Sequence, residues 1–256
     1  MYYLNFLSTI HQRLAPQTYL EIGVRNGGSL ALSRCRSVAI DPAFSINREL
    51  DGDFALFRTS SDEYFARPDP LAATGGRPFE FAFIDGLHIF EYALRDFIHA
   101  ERHFSAKGML IFDDMLPRTV DEAARVRHTR AWTGDVYSVL AVLAEYRPDL
   151  SVIPIDTRPT GLLMITGLDP DNTVLEDNYA QILLDHRHPD PQPVPAAVMD
   201  RMAVSEPEKV LQSKIFEQLA QASPTATAAE LRPQLQQTIA QDFGPAFAPR
   251  PTGVGG

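Results

Sequence analysis

Two stretches decide the predicted fold: Phe79-Glu-Phe-Ala-Phe-Ile-Asp-Gly-Leu-His88 and Met109-Leu-Ile-Phe-Asp-Asp-Met115. Each is an apolar run, too short for a lone helix and suited to a strand buried on both faces, and each runs into aspartate. Between them, residues 89–104 repeat apolar side chains at helical spacing, and Gly108 follows as a stop signal. This order predicts a right-handed crossover between two parallel strands.

The aspartates that follow these strands are expected to meet at one edge of the sheet. Parallel strands place their carboxyl ends together, so Asp85, Asp113 and Asp114 would share the rim where open sheets bind ligands. Three carboxylates repel one another unless a cation or protons intervene, and hard oxygen ligands suit magnesium. The alternative is that Asp113 or Asp114 caps a helix beginning near Thr119, while Asp85 caps the helix at Ile89.

Composition limits the partners and the location. The chain has 256 residues and a formal net charge of −10, which argues against a nucleic-acid or anionic membrane surface and favours a small-molecule ligand. The single cysteine, Cys35, excludes an internal disulfide framework. The start of the chain lacks a basic signal-peptide region, and no apolar run is long enough for a membrane span. We therefore predict a cytoplasmic protein.

A glycine-rich turn follows the first predicted strand, in the stretch Tyr19–Ser29. Its glycines, Gly23, Gly27 and Gly28, would let the backbone approach a ligand at the amino end of a helix that Ser29 caps and that runs to about Ser33. The spacing departs from G-x-G-x-x-G, so a dinucleotide fingerprint is not established. A plain tight connection between strand and helix is the alternative.

Two further strand ends belong to the same predicted nucleotide site. Asp41 ends the second strand, roughly 18 residues past the turn, where an acid can accept hydrogen bonds from ribose hydroxyls. The third strand, residues 54–59, leads into a helix that Ser61 or Asp62 is expected to cap, beside the base. The simpler interpretations are a turn started by Asp41 with Pro42 and an ordinary helix cap.

The remaining segments complete an α/β fold with a mostly parallel seven-stranded sheet. Apolar spacing predicts a first helix up to Ala15 that covers the core and a helix opened near Asp135, which would cap it. Residues 117–130 are predicted to form a loop and a short helix that flank the rim. Two strands, 150–155 and 161–167, are joined by a turn, so the sheet must end in an antiparallel hairpin. This arrangement is a Rossmann-like three-layer sandwich.

We divide the chain into four parts on this basis. The ligand-binding domain covers residues 1–185, a proline-rich linker covers 186–204, a helical tail covers 205–243, and residues 244–256 are expected to be disordered. The tail is interpreted as packing on its own domain, with a dimer contact or a lid as alternatives. A homo-oligomer is left open.

These motifs occur in the order found in a known enzyme family. The chain resembles Rossmann-like S-adenosylmethionine-dependent methyltransferases, and more narrowly the metal-dependent small-molecule O-methyltransferases that act on sugar and aminocoumarin groups of macrolides and related natural products. The resemblance covers about residues 17–168. It rests on Glu21–Ser29, Asp41, Ser61-Asp62, Ile84–His88 and Phe112–Met115.

The resemblance implies S-adenosylmethionine and magnesium as cofactors. It places the glycine turn near the methionine part of the cofactor, Asp41 on the ribose, and Ser61 with Asp62 near adenine. The residues expected to bind the cofactor are Glu21, Gly23, Asn26, Gly27, Gly28, Ser29, Asp41, Ser61, Asp62 and Asp85. The implied metal ligands are Asp85, Asp113 and Asp114.

The resemblance also points to His88 as the catalytic general base. Some relatives carry an acid two residues beyond the first metal aspartate, where this chain has Leu87, whereas His88 matches the relatives that use histidine. An unperturbed pKa near 6.5 would leave His88 mostly neutral at pH 7, ready to take a proton from the acceptor hydroxyl. The alternative is a half-buried histidine that packs beside Phe112. Other histidines that could reach a pocket are His99, His103 and His128.

The sequence therefore predicts a magnesium-dependent O-methyltransferase for a hydroxyl of a small molecule, such as a sugar or natural product. Two other classes share some of the features. An NAD-dependent oxidoreductase would use the glycine turn and Asp41, but it would not explain the three aspartates or the terminal hairpin. A non-catalytic nucleotide-binding protein would keep the fold and would need none of the aspartates for activity.

Overall fold

The computed structural model describes residues 1–249, which form a seven-stranded sheet with helices on both faces. The strands are β1 Thr18–Ile22, β2 Arg36–Ile40, β3 Asp53–Phe57, β4 Phe79–Ile84, β5 Phe104–Phe112, β6 Ser151–Ile155 and β7 Leu162–Thr166. The helices are α1 Tyr3–Leu14, α2 Ser61–Phe65, α3 Phe90–Glu101, α4 Ser138–Tyr146, α5 Val174–Asp177, α6 Tyr179–His186, α7 Ala196–Met199, α8 Pro207–Val210, α9 Ile215–Gln221 and α10 Ala228–Asp242. Two short 3₁₀ helices cover Leu30–Leu32 and Ala72–Thr74.

The strand order confirms the predicted fold class. The order is β3-β2-β1-β4-β5-β7-β6, and β7 runs antiparallel to both of its neighbours, whereas the other pairs are parallel. The apolar runs form the central strands because their side chains are buried on both faces of the sheet. All the strands except β7 therefore bring their carboxyl ends to one edge.

Two apolar layers enclose the sheet. One face packs against α3 and α4, with Phe97, Phe112 and Val139 in its core. The opposite face packs against α1 and the helices near the carboxyl end, with Phe81 and Phe216 in its core. The tail predicted from sequence thus shares a core with the first helix. Among residues 1–249, no helix is long and apolar enough to cross a membrane.

The segments after α6 lie against the rest of the chain. Ser205 forms a bridge with Ile155 on the edge strand β6, and Ser151 Oγ donates a hydrogen bond of 2.7 Å to the carbonyl of Phe247. Of the stretch predicted to be disordered, residues 250–256 lie outside the described residues. The division of the chain at residues 185, 204 and 243 stays a prediction.

Three local predictions were wrong. The glycine turn leads into the single 3₁₀ turn Leu30–Leu32 without a side-chain cap, so the helix expected to run to Ser33 is short. The cap of α2 is Ser60, which forms a reciprocal capping box with Glu63, and neither Ser61 nor Asp62. Within the described residues, no helix begins near Thr119, where 117–134 is a loop.

Candidate functional site

The predicted aspartates do meet at the carboxyl edge of the sheet. In the parallel pair of β4 and β5, Ile84 lies opposite Phe112 as the last residue of each strand. Asp85 follows the first strand and Asp113 with Asp114 follows the second, so the register alone brings their backbones side by side. This observation confirms the shared rim that the two apolar runs predicted.

Asp85, His88 and Asp114 form a compact group at this edge. His88 Nε2 lies 3.2 Å from Asp85 Oδ1, and His88 Nδ1 lies 3.0 Å from Asp114 Oδ2. One potential ligand atom from each residue lies within 4.8 Å of the others, which is close enough for a single metal ion. Asp114 has a backbone φ of +61°, a left-handed conformation that is uncommon outside glycine and is often found at functional sites.

Asp113 does not belong to this group. Its Oδ1 accepts a hydrogen bond of 2.8 Å from the Asp114 amide, so the carboxylate folds back on the turn. Burial and the charges of Asp114 and Asp85 raise its pKa well above the usual range. The three residues whose ligand atoms converge thus include His88 rather than Asp113, and a metal-ligand role for Asp113 stays a prediction.

Trp132 is the main neighbour of His88. Its carbonyl lies 2.8 Å from His88 Nδ1, and the two rings stack at a centroid distance of 5.0 Å and an angle of 16°. Gly134 follows with a φ of +59°, and a Cβ atom there would lie 1.6 Å from the carbonyl oxygen of His88. The loop therefore packs directly on His88, with Trp132 stacked on its ring.

The surroundings of His88 favour its protonated form, and its role as a general base stays a prediction. Burial lowers its pKa, but hydrogen bonds and charge from Asp114 and Asp85 raise the pKa of His88 to about 11. The geometry agrees, because each ring nitrogen faces an oxygen acceptor and must donate a proton to it. A histidine with both nitrogens protonated cannot act as a base.

Arg125 and Asp135 fasten the loop to α3. Asp135 Oδ1 accepts a hydrogen bond of 2.7 Å from the amide of Phe90, the first residue of that helix. Arg125 pairs with Glu91 at 2.6 Å and also with Asp135. Asp135 was predicted to cap the helix that follows it, α4, but it caps α3 instead. It therefore occupies the capping position that the alternative interpretation gave to Asp85.

The glycine turn adjoins the same edge. Gly23 has a φ of +88°, and a Cβ atom there would lie 1.9 Å from the carbonyl oxygen of Asp85. Gly27 also has a positive φ, of +78°, and the Gly28 amide donates to Asn26 Oδ1 at 3.2 Å. Glycine is thus required at position 23 because the turn crosses the end of β4, which places the turn beside the Asp85 group.

Glu21 and Ser29 support the turn from beneath. Glu21 is fully buried, and its carboxylate accepts hydrogen bonds from Tyr19 Oη at 2.6 Å and from Ser29 Oγ at 2.9 Å. Burial outweighs these bonds and raises the pKa of Glu21 to about 8. Contact of either side chain with a cofactor stays a prediction, and this inward orientation does not favour it.

Asp41 joins the end of β2 to the turn. One oxygen accepts from the amides of Val24 and Arg25, both at 2.8 Å, and the other accepts from Ala43 at 2.6 Å. The last bond is the turn that the Asp-Pro sequence suggested as the simpler interpretation. A carboxylate has about four acceptor sites, so binding to ribose stays a prediction that these bonds still permit.

Ser61 and Asp62 face α3. Ser61 Oγ donates to Asp96, a buried acid whose pKa is raised to about 7, chiefly by burial. Asp62 forms an ion pair with Arg95 at 2.7 Å. Their predicted contact with adenine stays a prediction. Arg95 and Asp96 were not predicted as site residues, because their apolar neighbours in α3 indicated only a helix.

The first helix does more than cover the core. Tyr3, its first residue, is anchored by its amide, which donates to the carbonyl of Arg158 at 3.0 Å. Burial, and then the charges of Asp113 and Asp85, raise the pKa of the Tyr3 hydroxyl. This effect places Tyr3 within electrostatic range of the rim. The helical spacing gave no indication of it.

The other histidines lie away from the group. His99 and His103 pack on Phe65, with ring centroids 5.5 and 5.2 Å away, and His128 is exposed beside Asp121. Between His88, Asp85 and Asp96 lies a cavity of about 10 Å³, which is the space of about one water molecule. An organic acceptor must therefore approach the group from outside this arrangement.

Comparisons with known proteins find only distant structural similarity. No protein-family model matches the chain, and no curated protein matches it. A protein of Klebsiella pneumoniae, provisionally titled an O-methyltransferase, has 15% identity and a TM-score of 0.49, with coverage of 64% of this chain and 79% of that one. An O-methyltransferase of Bacillus cereus in complex with SAH has 17% identity and a TM-score of 0.47, with coverage of 64% and 79%.

A third solved structure is the O-methyltransferase TomG of Streptomyces achromogenes, involved in tomaymycin synthesis and determined in complex with SAM. It has 17% identity and a TM-score of 0.47, with coverage of 64% of this chain and 78% of that one. At these low values, the function has to be inferred from the residues of the site.

Proposed function

We propose that this protein is an S-adenosylmethionine-dependent O-methyltransferase that uses a divalent cation and acts on a hydroxyl group of a small molecule. The observation that carries the proposal is the group Asp85, His88 and Asp114, whose ligand atoms lie within 4.8 Å of one another at the carboxyl edge of the sheet. The glycine turn adjoins it, because Gly23 packs on the carbonyl of Asp85. A cofactor site and an acid group are therefore neighbours.

The cofactor is assigned from the turn and the sheet. Backbone amides at a glycine turn after β1, and an acid at the end of β2, suit a nucleoside whose ribose lies at the carboxyl edge. The antiparallel β7 is the feature that separates a methyltransferase sheet from a dehydrogenase sheet, and it is present. S-adenosylmethionine would supply the reactive methyl group on its sulfonium, and the chain would orient it.

The donor set fits a divalent cation. Asp85 and Asp114 offer carboxylate oxygens and His88 offers Nε2, while the Trp132 carbonyl holds the other ring nitrogen as a donor. A backbone acceptor of this kind fixes the tautomer of a ligating histidine. The imidazole makes manganese at least as suitable as magnesium, because magnesium prefers oxygen ligands.

The role of His88 depends on its proton. A bound cation would offset the carboxylate charges, so that Nε2 could lose its proton, and would polarise the acceptor hydroxyl. Asp85 and Asp114 hold the imidazole ring in place, and Trp132 covers one of its faces. A ring nitrogen that ligates the cation has no lone pair left for a proton, so Nε2 can take the acceptor proton only where the two carboxylates hold the cation without it. We keep His88 as the candidate base on that condition.

The cation can be tested without any acceptor. Manganese titration followed by electron paramagnetic resonance should give one site per chain, weakened about tenfold or more in Asp85→Asn and Asp114→Asn. Asp121→Asn is a matched control, because the substitution removes the same charge from a side chain that is 77% exposed. Equal affinity in all four proteins, or no binding by the parent, would contradict the cation site.

The cofactor is tested by calorimetry with S-adenosylhomocysteine and with NAD. We expect binding of the first, weakened about tenfold by Asp41→Ala if that carboxylate holds the ribose. Binding of NAD alone would favour the oxidoreductase. Binding of the homocysteine compound with no methyl transfer to any of a panel of sugar and phenol hydroxyls would favour a non-catalytic nucleotide-binding protein.

The acceptor class follows from charge and location. The formal net charge of −10 disfavours a nucleic acid or an anionic membrane as the acceptor, so a small hydroxylated molecule is proposed. The cytoplasmic location and a homo-oligomeric state stay predictions.

A further inference from the structure

A second cavity lies at the opposite edge of the sheet. It has a volume of about 680 Å³, within the usual range for small-molecule sites. Arg34 and Arg36 stand at the start of β2, and Arg77 precedes β4, so all three line it from the amino ends of the strands. The carboxylate group described above lies at the carboxyl ends, so the two sites are separate.

The lining of this cavity is basic in an acidic protein. The chain has 33 acidic and 23 basic residues, yet no acidic residue lines the cavity in the described part of the chain. Arg36 uses only Nε for its ion pair with Asp53, at 2.7 Å, which leaves both of its terminal amino groups unused among residues 1–249. The Arg77 side chain has no hydrogen bond or ion pair within the same residues.

Arg34 has fewer free hydrogen-bond donors for a ligand than Arg36 or Arg77. Its Nη1 donates to the carbonyls of Ala31 and Ser33, at 2.7 and 2.9 Å, and Asp51 lies 3.7 Å from Nε. These bonds hold the side chain at the mouth of the cavity and leave Nη2 without a partner in residues 1–249. Several free guanidinium donors facing one space form the arrangement that binds phosphate.

His11 adds a neutral hydrogen-bonding group to the wall of the cavity. It is 9% exposed and packs edge-on against Tyr19 and Phe81, with both centroid distances at 4.8 Å. Its ring nitrogens have no hydrogen-bond partner among residues 1–249, although the residue lines the cavity. Burial, and then Arg34, lower the pKa of His11 to about 4, so the ring is neutral.

We propose that this cavity, at the amino edge of the sheet, binds a phosphate monoester of a small organic molecule. The arginines would bind the phosphate, and His11 would hydrogen-bond a polar group of the organic part. The volume exceeds what a phosphate ion needs, and uncharged side chains complete the walls: Ser8, Gln12, Ala15, Pro16, Gln17, Leu32 and Cys35. The inference does not depend on the proposed methyl transfer.

Cys35 gives a specific probe, because it is the single cysteine of the chain and lies in this wall. The rate at which uncharged N-ethylmaleimide alkylates Cys35 is measured at constant ionic strength, with glucose 6-phosphate, inorganic phosphate or glucose. We expect saturating glucose 6-phosphate to slow alkylation about tenfold, because the bound ester covers the thiol. Glucose should give no protection.

Two variants separate specific binding from general charge. Arg77→Gln removes a side chain without described partners, so the fold should be kept, and it should raise the half-protecting concentration about tenfold, or about 1.4 kcal/mol. Arg130→Gln makes the same charge change on an exposed loop at the other edge, and should change that concentration less than about twofold.

The remaining outcomes are equally decisive. Protection by inorganic phosphate at the same concentration as the ester would support the site with free phosphate as its ligand, and about tenfold stronger protection by the ester would support a phosphorylated metabolite. No protection by either compound, equal protection by glucose, or equal weakening in Arg77→Gln and Arg130→Gln would overturn the proposal.

Discussion

Gly134→Ala is expected to release the loop from His88. Alanine at a left-handed φ costs about 1 kcal/mol wherever it occurs. At Gly134 the new Cβ would also lie 1.6 Å from a backbone carbonyl oxygen, whereas real Cβ atoms essentially never come within 3.0 Å of another heavy atom. The loop must therefore move by more than an ångström.

That movement has a cost that can be estimated from the bonds it breaks. The amides of Thr133 and Gly134 both donate to the carbonyl of Glu122, at 2.9 and 3.1 Å, and the Trp132 carbonyl accepts from His88. Losing these three hydrogen bonds, at about 1 kcal/mol each, should lower the free energy of unfolding by about 3 kcal/mol. This loss adds to the cost of the left-handed φ at alanine. Gly76→Ala is the matched control, because Gly76 has a φ of +77° and nothing within 4 Å of an added Cβ.

The assay uses the single tryptophan of the chain. Trp132 stacks on the ring of His88, so its fluorescence reports whether the loop is in its native position. We expect altered Trp132 emission at low urea in Gly134→Ala, and unchanged emission in Gly76→Ala. Circular dichroism then gives the free energy of unfolding. Equal emission, with unfolding free energies within about 0.5 kcal/mol of each other, would refute the reasoning.

Three further predictions concern Glu21, Arg125 and Gly23. Because burial raises the pKa of folded Glu21 from 4.5 to about 8, its contribution to stability is lost as pH rises across that interval. Glu21→Gln should remove this loss, which amounts to up to about 4 kcal/mol of unfolding free energy at pH 8. The measurement is urea unfolding at several pH values, and the same dependence of the unfolding free energy on pH in variant and parent would contradict the prediction. Arg125→Met leaves two carboxylates without their cation and should cost about 3 kcal/mol in urea unfolding, whereas a cost below about 1 kcal/mol would show that the pairs matter little. Gly23→Ala should displace Asp85 and weaken manganese binding about tenfold. The control Gly28→Ala should not, because its Cβ would meet only side chains. Equal manganese affinities in the two variants would show that the turn does not position the cation site.

The fold could be predicted because its signals are local. Apolar runs ending in aspartate, a helical repeat between them and a closing hairpin each depend on neighbours in sequence, and together they require a mixed sheet. One local signal was misread: Ser60 and Glu63 stand three residues apart, which is the spacing of a capping box, yet the cap was placed at Ser61 or Asp62.

The contents of the site could not be predicted in the same way, because they depend on distant partners. Trp132 lies 44 residues after His88, and the pair meets only because Asp135 and Arg125 bind the loop to α3. The charge state of His88 depends on this assembly. Its usual pKa was therefore a poor guide, since two carboxylates and a carbonyl surround the ring in the folded chain.

The position of Asp113 was predictable in principle, from the period of a strand. Along β5, Leu110 and Phe112 pack on the face of α3, while Met109 and Ile111 pack on the face of α1. Continued alternation sends Asp113 towards α1, where it affects the pKa of Tyr3, and sends Asp114 towards the face of His88. The aspartates thus share an edge without sharing a face, and the left-handed turn at Asp114 brings its carboxylate onto His88.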